Sequence, residues 1–247
     1  LLSALHREWG LLRAAVQALT RIPVPAPHGP DTLRRAVRYF PVVGAGVGAI
    51  GALVFWLAGQ GLPAMAASVL SLAATAVLTG ALHEDGLADC CDGLLGGRTR
   101  DDALRIMRDS RLGAFGAIGL FLVLGLKLSL VAAMPQVGLT LIAAHAAGRF
   151  WAVLPTALLP YARPDGMAAQ IAGPDAATLA VAALLGLGPL LLLGPRALPA
   201  LLLSGGVALL FGLFVRRRLG GYTGDALGAT QVLTEIAVLL AAAWRAG

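Results

Sequence analysis

The chain is poor in charge and poor in acids: 13% of its 247 residues are Asp, Glu, Lys or Arg, and only 13 are acidic. That excludes a disordered or heavily solvated protein, which needs many charges and few apolar residues. There are two cysteines, the neighbours Cys90 and Cys91. Adjacent cysteines lack the spacing of a zinc site and pair poorly with each other, so both are read as small packing residues rather than as a metal or disulfide framework. Aromatic residues are sparse at 6%. No long polar domain, low-complexity tail or secure internal repeat interrupts the chain.

What is abundant is apolar. With 58% hydrophobic residues and a mean hydropathy of +0.81, the composition is that of an all-α, polytopic membrane bundle. A hydrocarbon core about 30 Å thick needs about 20 residues per helix. On that basis seven transmembrane helices are expected, near 39–59, 63–82, 113–134, 136–157, 176–194, 198–215 and 226–244. Of 19 basic residues, six precede residue 39, five lie between 83 and 112, Arg163 follows the fourth span, and Arg216, Arg217 and Arg218 precede the last. These segments share one side of a seven-span path, and only Arg196 and Arg245 fall near the other. Positive charge inside therefore puts the N-terminus and the acidic motif on the cytoplasmic face of an inner membrane. Because the excess is spread over membrane-flanking loops, the pI near 10.3 implies lipid contact and room for an anionic substrate, not nucleic acid.

Residues 1–20 carry Leu5, Leu12, Val16 and Leu19 at helical spacing beside Arg7, Glu8, Trp9 and Arg13, which predicts an interfacial amphipathic helix. Pro23, Pro25, Pro27 and Pro30 make an extended connector after it. Gly44 and Gly48 give the first span a close-packing face, read as contact within the chain in preference to a homo-oligomer seam. The whole of 1–247 is expected to be one membrane-embedded domain, with a polar segment at 83–112 and a second acidic-glycine motif at 216–225.

The first acidic motif is His83-Glu84-Asp85-Gly86-Leu87-Ala88-Asp89-Cys90-Cys91-Asp92-Gly93. In a helix, Asp85, Asp89 and Asp92 stand at i, i+4 and i+7 on one face, while Glu84 points about 100° away. Three like charges on one stripe repel. A bland reading is a solvated helix face; the stronger one is a cation among them, and an all-oxygen set suits Mg²⁺ or Mn²⁺. Residues 98–111 read as a polar helix capped by Thr99 or Asp101, in which Arg105, Arg108 and Arg111 recur beside Asp109 and Ser110 as a phosphate-holding or lipid-facing set. In the second motif, Gly220-Gly221-Tyr222-Thr223-Gly224-Asp225, Thr223 is placed to cap the last helix and Asp225 to share a site with Asp85. His145 and Arg149 stand i, i+4 inside a span, where ionisable groups usually face the protein interior. Lys127 and Glu235 are read either as a buried ion pair or as snorkelling side chains.

Metal-binding carboxylates, arginines and a helix N-terminus on one face favour a reaction at phosphorus. Five ordered motifs carry a resemblance: Thr20-Arg21-Ile22-Pro23-Val24-Pro25 with Phe40-Pro41, the His83–Gly93 block, Met107-Arg108-Asp109-Ser110-Arg111-Leu112-Gly113, Tyr161-Ala162-Arg163, and the Gly220–Ala229 block. Together they resemble the cobalamin (5′-phosphate) synthases, the adenosylcobinamide-GDP ribazoletransferases. The resemblance implies Mg²⁺-dependent attack by the ribose hydroxyl of α-ribazole, or its 5′-phosphate, on adenosylcobinamide-GDP, with release of GMP. It implies that Asp85, Asp89, Asp92 and Asp225 hold metal and that Asp89 and Asp92 act as catalytic acids. Arg108, Ser110, Arg111, Arg149, Arg163 and Thr223 become substrate contacts. Two other readings stand beside it. A CDP-alcohol phosphotransferase shares the Asp-Gly-x-x-Ala opening, but here Asp89 follows where that motif has arginine. A divalent-cation transporter would place its acids nearer the bilayer midplane on broken helices.

Overall fold

The computed structural model describes residues 2–27, 29 and 31–244; Pro30 and Arg245 lie outside them. Among the described residues every long element is a helix, as the apolar composition requires of segments that must satisfy their own backbone in lipid. In order it forms α1 (Leu2–Leu19), α2 (Thr32–Ala36), α3 (Phe40–Ala58), α4 (Ala64–Thr79), α5 (Leu82–Gly96), α6 (Arg100–Ile106), α7 (Ala114–Ala133), α8 (Val137–Leu158), α9 (Ala176–Leu187), α10 (Ala197–Leu219) and α11 (Gly224–Ala243). Helices α8 and α11 are the buried centre; α3, α5, α7 and α10 surround them.

Among the described residues, five helical stretches are long and apolar enough to cross a membrane, or six if a bent pair counts as one. The expected number was seven, and two places account for the difference. The stretch Ala176–Leu219 is one helical run of 44 residues, broken at Gly194 by non-helical dihedrals (φ 59°, ψ −127°). The chain doubles back there: the start of α9 and the end of α10 both lie near the C-terminal end of α8, whereas Arg196 shares a cavity with Gln136 and Trp244. The expected span 63–82 is instead α4 followed by a 92° bend into α5. Gly80 (φ 67°) and Ala81 (φ 56°) make that bend with two successive left-handed residues, the second unfavourable for a side chain bearing Cβ.

The glycine face of α3 packs inside the chain. A Cβ on Gly44 or Gly48 would overlap the backbone of His145 or Leu141 in α8, so only glycine permits this approach. Helix α1 buries Leu11, Ala14, Ala15 and Leu19 against Val37, Phe40 and Val43 and leaves Leu5 and Trp9 exposed. Tyr39 Oη donates to Glu8 at 2.9 Å, fixing the helix to the root of α3. The polar helix is shorter than expected: α6 ends at Ile106, so Arg108 and Arg111 stand in the following loop. Thr99 is its cap, accepting from the Asp102 amide at 3.1 Å.

Candidate active site

The bend at Gly80–Ala81 swings α5 across the first turn of α11. Contact there is backbone-close: a Cβ on Gly86 would sit 2.8 Å from the Asp225 carbonyl oxygen, and one on Gly228 3.2 Å from His83 Cα. The two acidic motifs, 140 residues apart in sequence (225 − 85), thus meet at one helix crossing. Asp85, Asp89 and Asp92 share a face of α5 as the spacing predicts, and Asp85, Asp92 and Asp225 all repel the Asp89 carboxylate.

A short parallel pairing brings in a cation. The Tyr222 amide donates to Pro160 O at 2.9 Å, and the Ala162 amide to Tyr222 O at 2.8 Å. Gly221 lies so close to Pro160 O that a side chain is excluded. The Tyr161 and Tyr222 rings pack 5.3 Å apart, and burial pushes the Tyr222 phenol up to about 12, so it stays a neutral donor to Ala168 O at 3.0 Å. Arg163, next along this segment, reaches Asp225 at 2.5 Å. Thr223 is fully buried and caps α11, accepting from the Ala226 amide at 3.2 Å.

Arginines from the basic flanks clamp the surrounding loops. Arg100 donates to Leu219 O and Ala162 O, each at 2.8 Å, and Arg218 donates to Leu94 O at 3.0 Å and to Gly97 O. The bonds to Leu219, Leu94 and Gly97 satisfy carbonyls that the ends of α10 and α5 leave free, and the bond to Ala162 ties in the loop after α8.

Asp85, Asp225, Arg163, Arg108 and Arg149 stand in the wall of one cavity of about 670 Å³, whose lining also includes the apolar Leu19, Phe40, Val153 and Ile171. Its size suits a nucleotide-sized ligand. His83, Tyr161, Asp165 and Gln231 also line it and were not among the expected site residues. Asp165 pairs with Arg108 at 2.9 Å; in sequence it looks like an ordinary Pro-Asp-Gly turn. Asp89, one turn beyond Asp85 on α5, is outside that wall but within the field of Asp225 and Arg163, and the remaining expected residues lie elsewhere. Both Asp92 oxygens accept backbone amides at the start of α7, from Gly113 and Gly116, at 2.8 Å each. Ser110 is exposed on the loop, and Arg111, with an 87% exposed side chain, folds back on Asp109 at 2.6 Å. The arginine holds the exposed Asp109 carboxyl down to about 2.

Among the described residues no three His, Cys, Asp or Glu side chains form an all-protein metal cage. The donors are nevertheless hard oxygens on a repelling cluster, and Mg²⁺ characteristically takes one or two carboxylates, several waters and substrate phosphates. The donor set therefore fits an ion that arrives with a phosphorylated ligand.

The sequence profile of the cobalamin-5-phosphate synthase family matches residues 11–243. The adenosylcobinamide-GDP ribazoletransferase of Ralstonia nicotianae is 48% identical, covering 97% of this chain and 96% of its own. Proteins of the same name from Leptothrix cholodnii and Bradyrhizobium diazoefficiens are each 44% identical, covering 100% and 94% of this chain and 98% and 92% of their own. No solved structure matches. The chain belongs to the cobalamin-5-phosphate synthase family.

Proposed function

We propose that this protein transfers the cobinamide phosphate of adenosylcobinamide-GDP to α-ribazole or its 5′-phosphate. The products are GMP and adenosylcobalamin or its 5′-phosphate, in a late step of vitamin B12 assembly. The observation that carries this reading is the crossing of α5 and α11, which sets Asp85, Asp225 and Arg163 in the wall of a nucleotide-sized cavity, with Asp89 one turn beyond Asp85 on α5 and within the field of Asp225 and Arg163. Family membership favours it over the phosphatidyltransferase and transporter readings.

Asp85 and Asp89, with Asp225, would hold Mg²⁺ shared with the substrate diphosphate. Bound there, the ion neutralises charge on the reacting phosphoryl group. Arg163, held by Asp225, and Arg108, held by Asp165, supply charge-assisted bonds to phosphate oxygens. Asp89 takes the proton of the attacking ribose hydroxyl as the new P–O bond forms and the bond to the GMP phosphate breaks. Asp92 has a positioning role, since its oxygens fix the start of α7 against α5. Thr223 acts through its cap on α11, and Ser110 and Arg111 fall outside the site. The apolar part of the lining is suited to the body of the corrinoid or the ribazole base. The basic loops collect at the end of the bundle that carries the acids, which supports a cytoplasmic site.

The test is GMP release by the purified, detergent-solubilised protein given adenosylcobinamide-GDP and α-ribazole, with Mg²⁺ and then with chelator. Release that requires acceptor and Mg²⁺ is expected; acceptor-independent hydrolysis, or full turnover under chelation, would remove the reading or its metal.

A further inference from the structure

Five polar side chains from three helices meet inside the bundle: Lys127 of α7, His145 and Arg149 of α8, and Gln231 and Glu235 of α11. Glu235, 1% exposed, is their centre. Its Oε2 accepts from Lys127 Nζ at 2.8 Å, and its Oε1 accepts from Gln231 Nε2 at 2.8 Å. Oε1 also lies 2.8 Å from His145 Nδ1 and 3.5 Å from Arg149 Nη1. Arg149 Nη1 donates in addition to the His145 carbonyl at 3.0 Å.

The other edge of that guanidinium is bare. Arg149 is 1% exposed, yet its Nε and Nη2 make no hydrogen bond to any of the described residues. A buried donor without a partner is costly, and a charged one more so. Nε and Nη2 are also the side of the fork that takes two oxygens of one phosphate in parallel. Arg149 and Gln231 stand in the wall of the same cavity as Asp85 and Arg163. Glu84 of α5 also acts on Arg149 through its field; its Oε2 is itself buried without a partner, and the two form no ion pair among the described residues.

We propose that Glu235 is a positioning residue. By holding Nη1 it orients Arg149 so that Nε and Nη2 face a phosphate group in the cavity, making an anion subsite separate from the Asp85–Asp225 acids. Lys127 bonds the other Glu235 oxygen, and Gln231 completes the hydrogen bonds of the carboxylate. That the anion belongs to the substrate diphosphate rests on the transferase reading; the subsite itself does not.

The experiment uses the full, detergent-solubilised chain, with pyrophosphate affinity measured from thermal stabilisation and KM and kcat from GMP release. Arg149→Lys keeps the charge and loses the fork; it should weaken pyrophosphate binding and raise KM by about tenfold or more, with kcat changed less than about threefold. Glu235→Gln should do the same, and combining it with Arg149→Lys should add nothing, because one residue acts through the other. Should Glu235→Gln not accumulate, with Lys127 left unpaired, Lys127→Met/Glu235→Gln carries the same test. Unchanged pyrophosphate affinity and KM in the Glu235 variant, or effects that multiply in the combination, would overturn the proposal. If the unaltered protein releases no GMP but binds pyrophosphate in an Arg149- and Glu235-dependent manner, the transferase reading falls and the subsite stands.

Discussion

Two clusters of ionisable residues sit on the same helix, α11, and are built on opposite rules. At its first turn, Asp225, paired with Arg163, joins Asp85, Asp89 and Asp92 in a group of like charges. Three turns further on, Glu235 is surrounded by Lys127, His145, Arg149 and Gln231, with both of its oxygens engaged. In the deep cluster both Glu235 oxygens are bonded while the outer edge of Arg149 is left open; taking Lys127 or Glu235 away leaves the other stranded. The shallow cluster carries surplus negative charge that the fold itself does not answer. A membrane protein with so few acids retains such a surplus where a cation or a reacting proton uses it. Groups whose bonds close within the protein, such as Glu235, thus belong to the frame, and groups left open, the acids of α5 and the outer edge of Arg149, are the ones free to meet a ligand.

Removing one acid from the shallow cluster breaks the contrast most severely. Asp89→Asn should cost on the order of 10²–10³-fold in turnover, the scale of deleting one preorganised electrostatic group at a reacting centre. The same change relieves repulsion from Asp85, Asp92 and Asp225, so the metal-free protein should melt no lower than the unaltered one. Mg²⁺ should raise the melting temperature of the unaltered protein by mass action and raise that of Asp89→Asn much less. A variant that loses stability together with activity would show Asp89 to be part of the frame.

Lys127→Met makes the converse change in the deep cluster. It strands Glu235 with fewer partners, and breaking one side of a buried pair typically costs about 3–5 kcal/mol. A large drop in denaturation midpoint is expected, with kcat of the surviving folded fraction changed far less than in Asp89→Asn. Equal stability would mean that Lys127 is dispensable to the frame.

Much of this division was legible in the chain. The i, i+4, i+7 spacing of Asp85, Asp89 and Asp92 placed them on one helix face because helix geometry is local. Thr223 as a cap and Gly44 and Gly48 as a packing seam follow from equally local rules. Lys127 and Glu235 allowed two readings, since a lone charge in an apolar run either pairs or snorkels and only tertiary packing decides. The bend at Gly80–Ala81 was hidden for a similar reason. Leu78-Thr79-Gly80-Ala81-Leu82 reads as uninterrupted helix, and a single glycine in an apolar run need not break it. Arg100 and Arg218 counted only as membrane-flanking charge, although each clamps carbonyls more than 60 residues away. The apolar part of the cavity lining carried no motif, being assembled from Leu19, Phe40, Val153 and Ile171 on separate segments.

Asp92 tests the boundary between the two rules. It belongs to the acidic stripe by spacing, yet its oxygens are engaged like those of Glu235, by the Gly113 and Gly116 amides. Asp92→Asn keeps one acceptor and turns an amide donor toward a backbone N–H, a mismatch worth about 1–3 kcal/mol. Its stability should therefore fall, and its turnover should fall by less than that of Asp89→Asn. The reverse order would move Asp92 from the frame to the reacting centre.

Arg111 should give the smallest effect. The spacing of Arg105, Arg108 and Arg111 made all three candidate phosphate contacts, but only Arg108 lines the cavity. Arg111 is bonded to its neighbour Asp109, whose depressed pKa keeps the pair intact at neutral pH and loses it only as pH falls toward about 2. Exposed pairs of this kind contribute little to stability and are screened by salt. Arg111→Ala should therefore leave KM for adenosylcobinamide-GDP within about threefold, whereas Arg108→Ala, which also frees Asp165 at the cavity rim, should raise it by about tenfold or more. Equal effects of the two substitutions would mean that the loop of residues 107–113 closes over the ligand as a unit, with Arg111 exchanging Asp109 for phosphate when substrate binds.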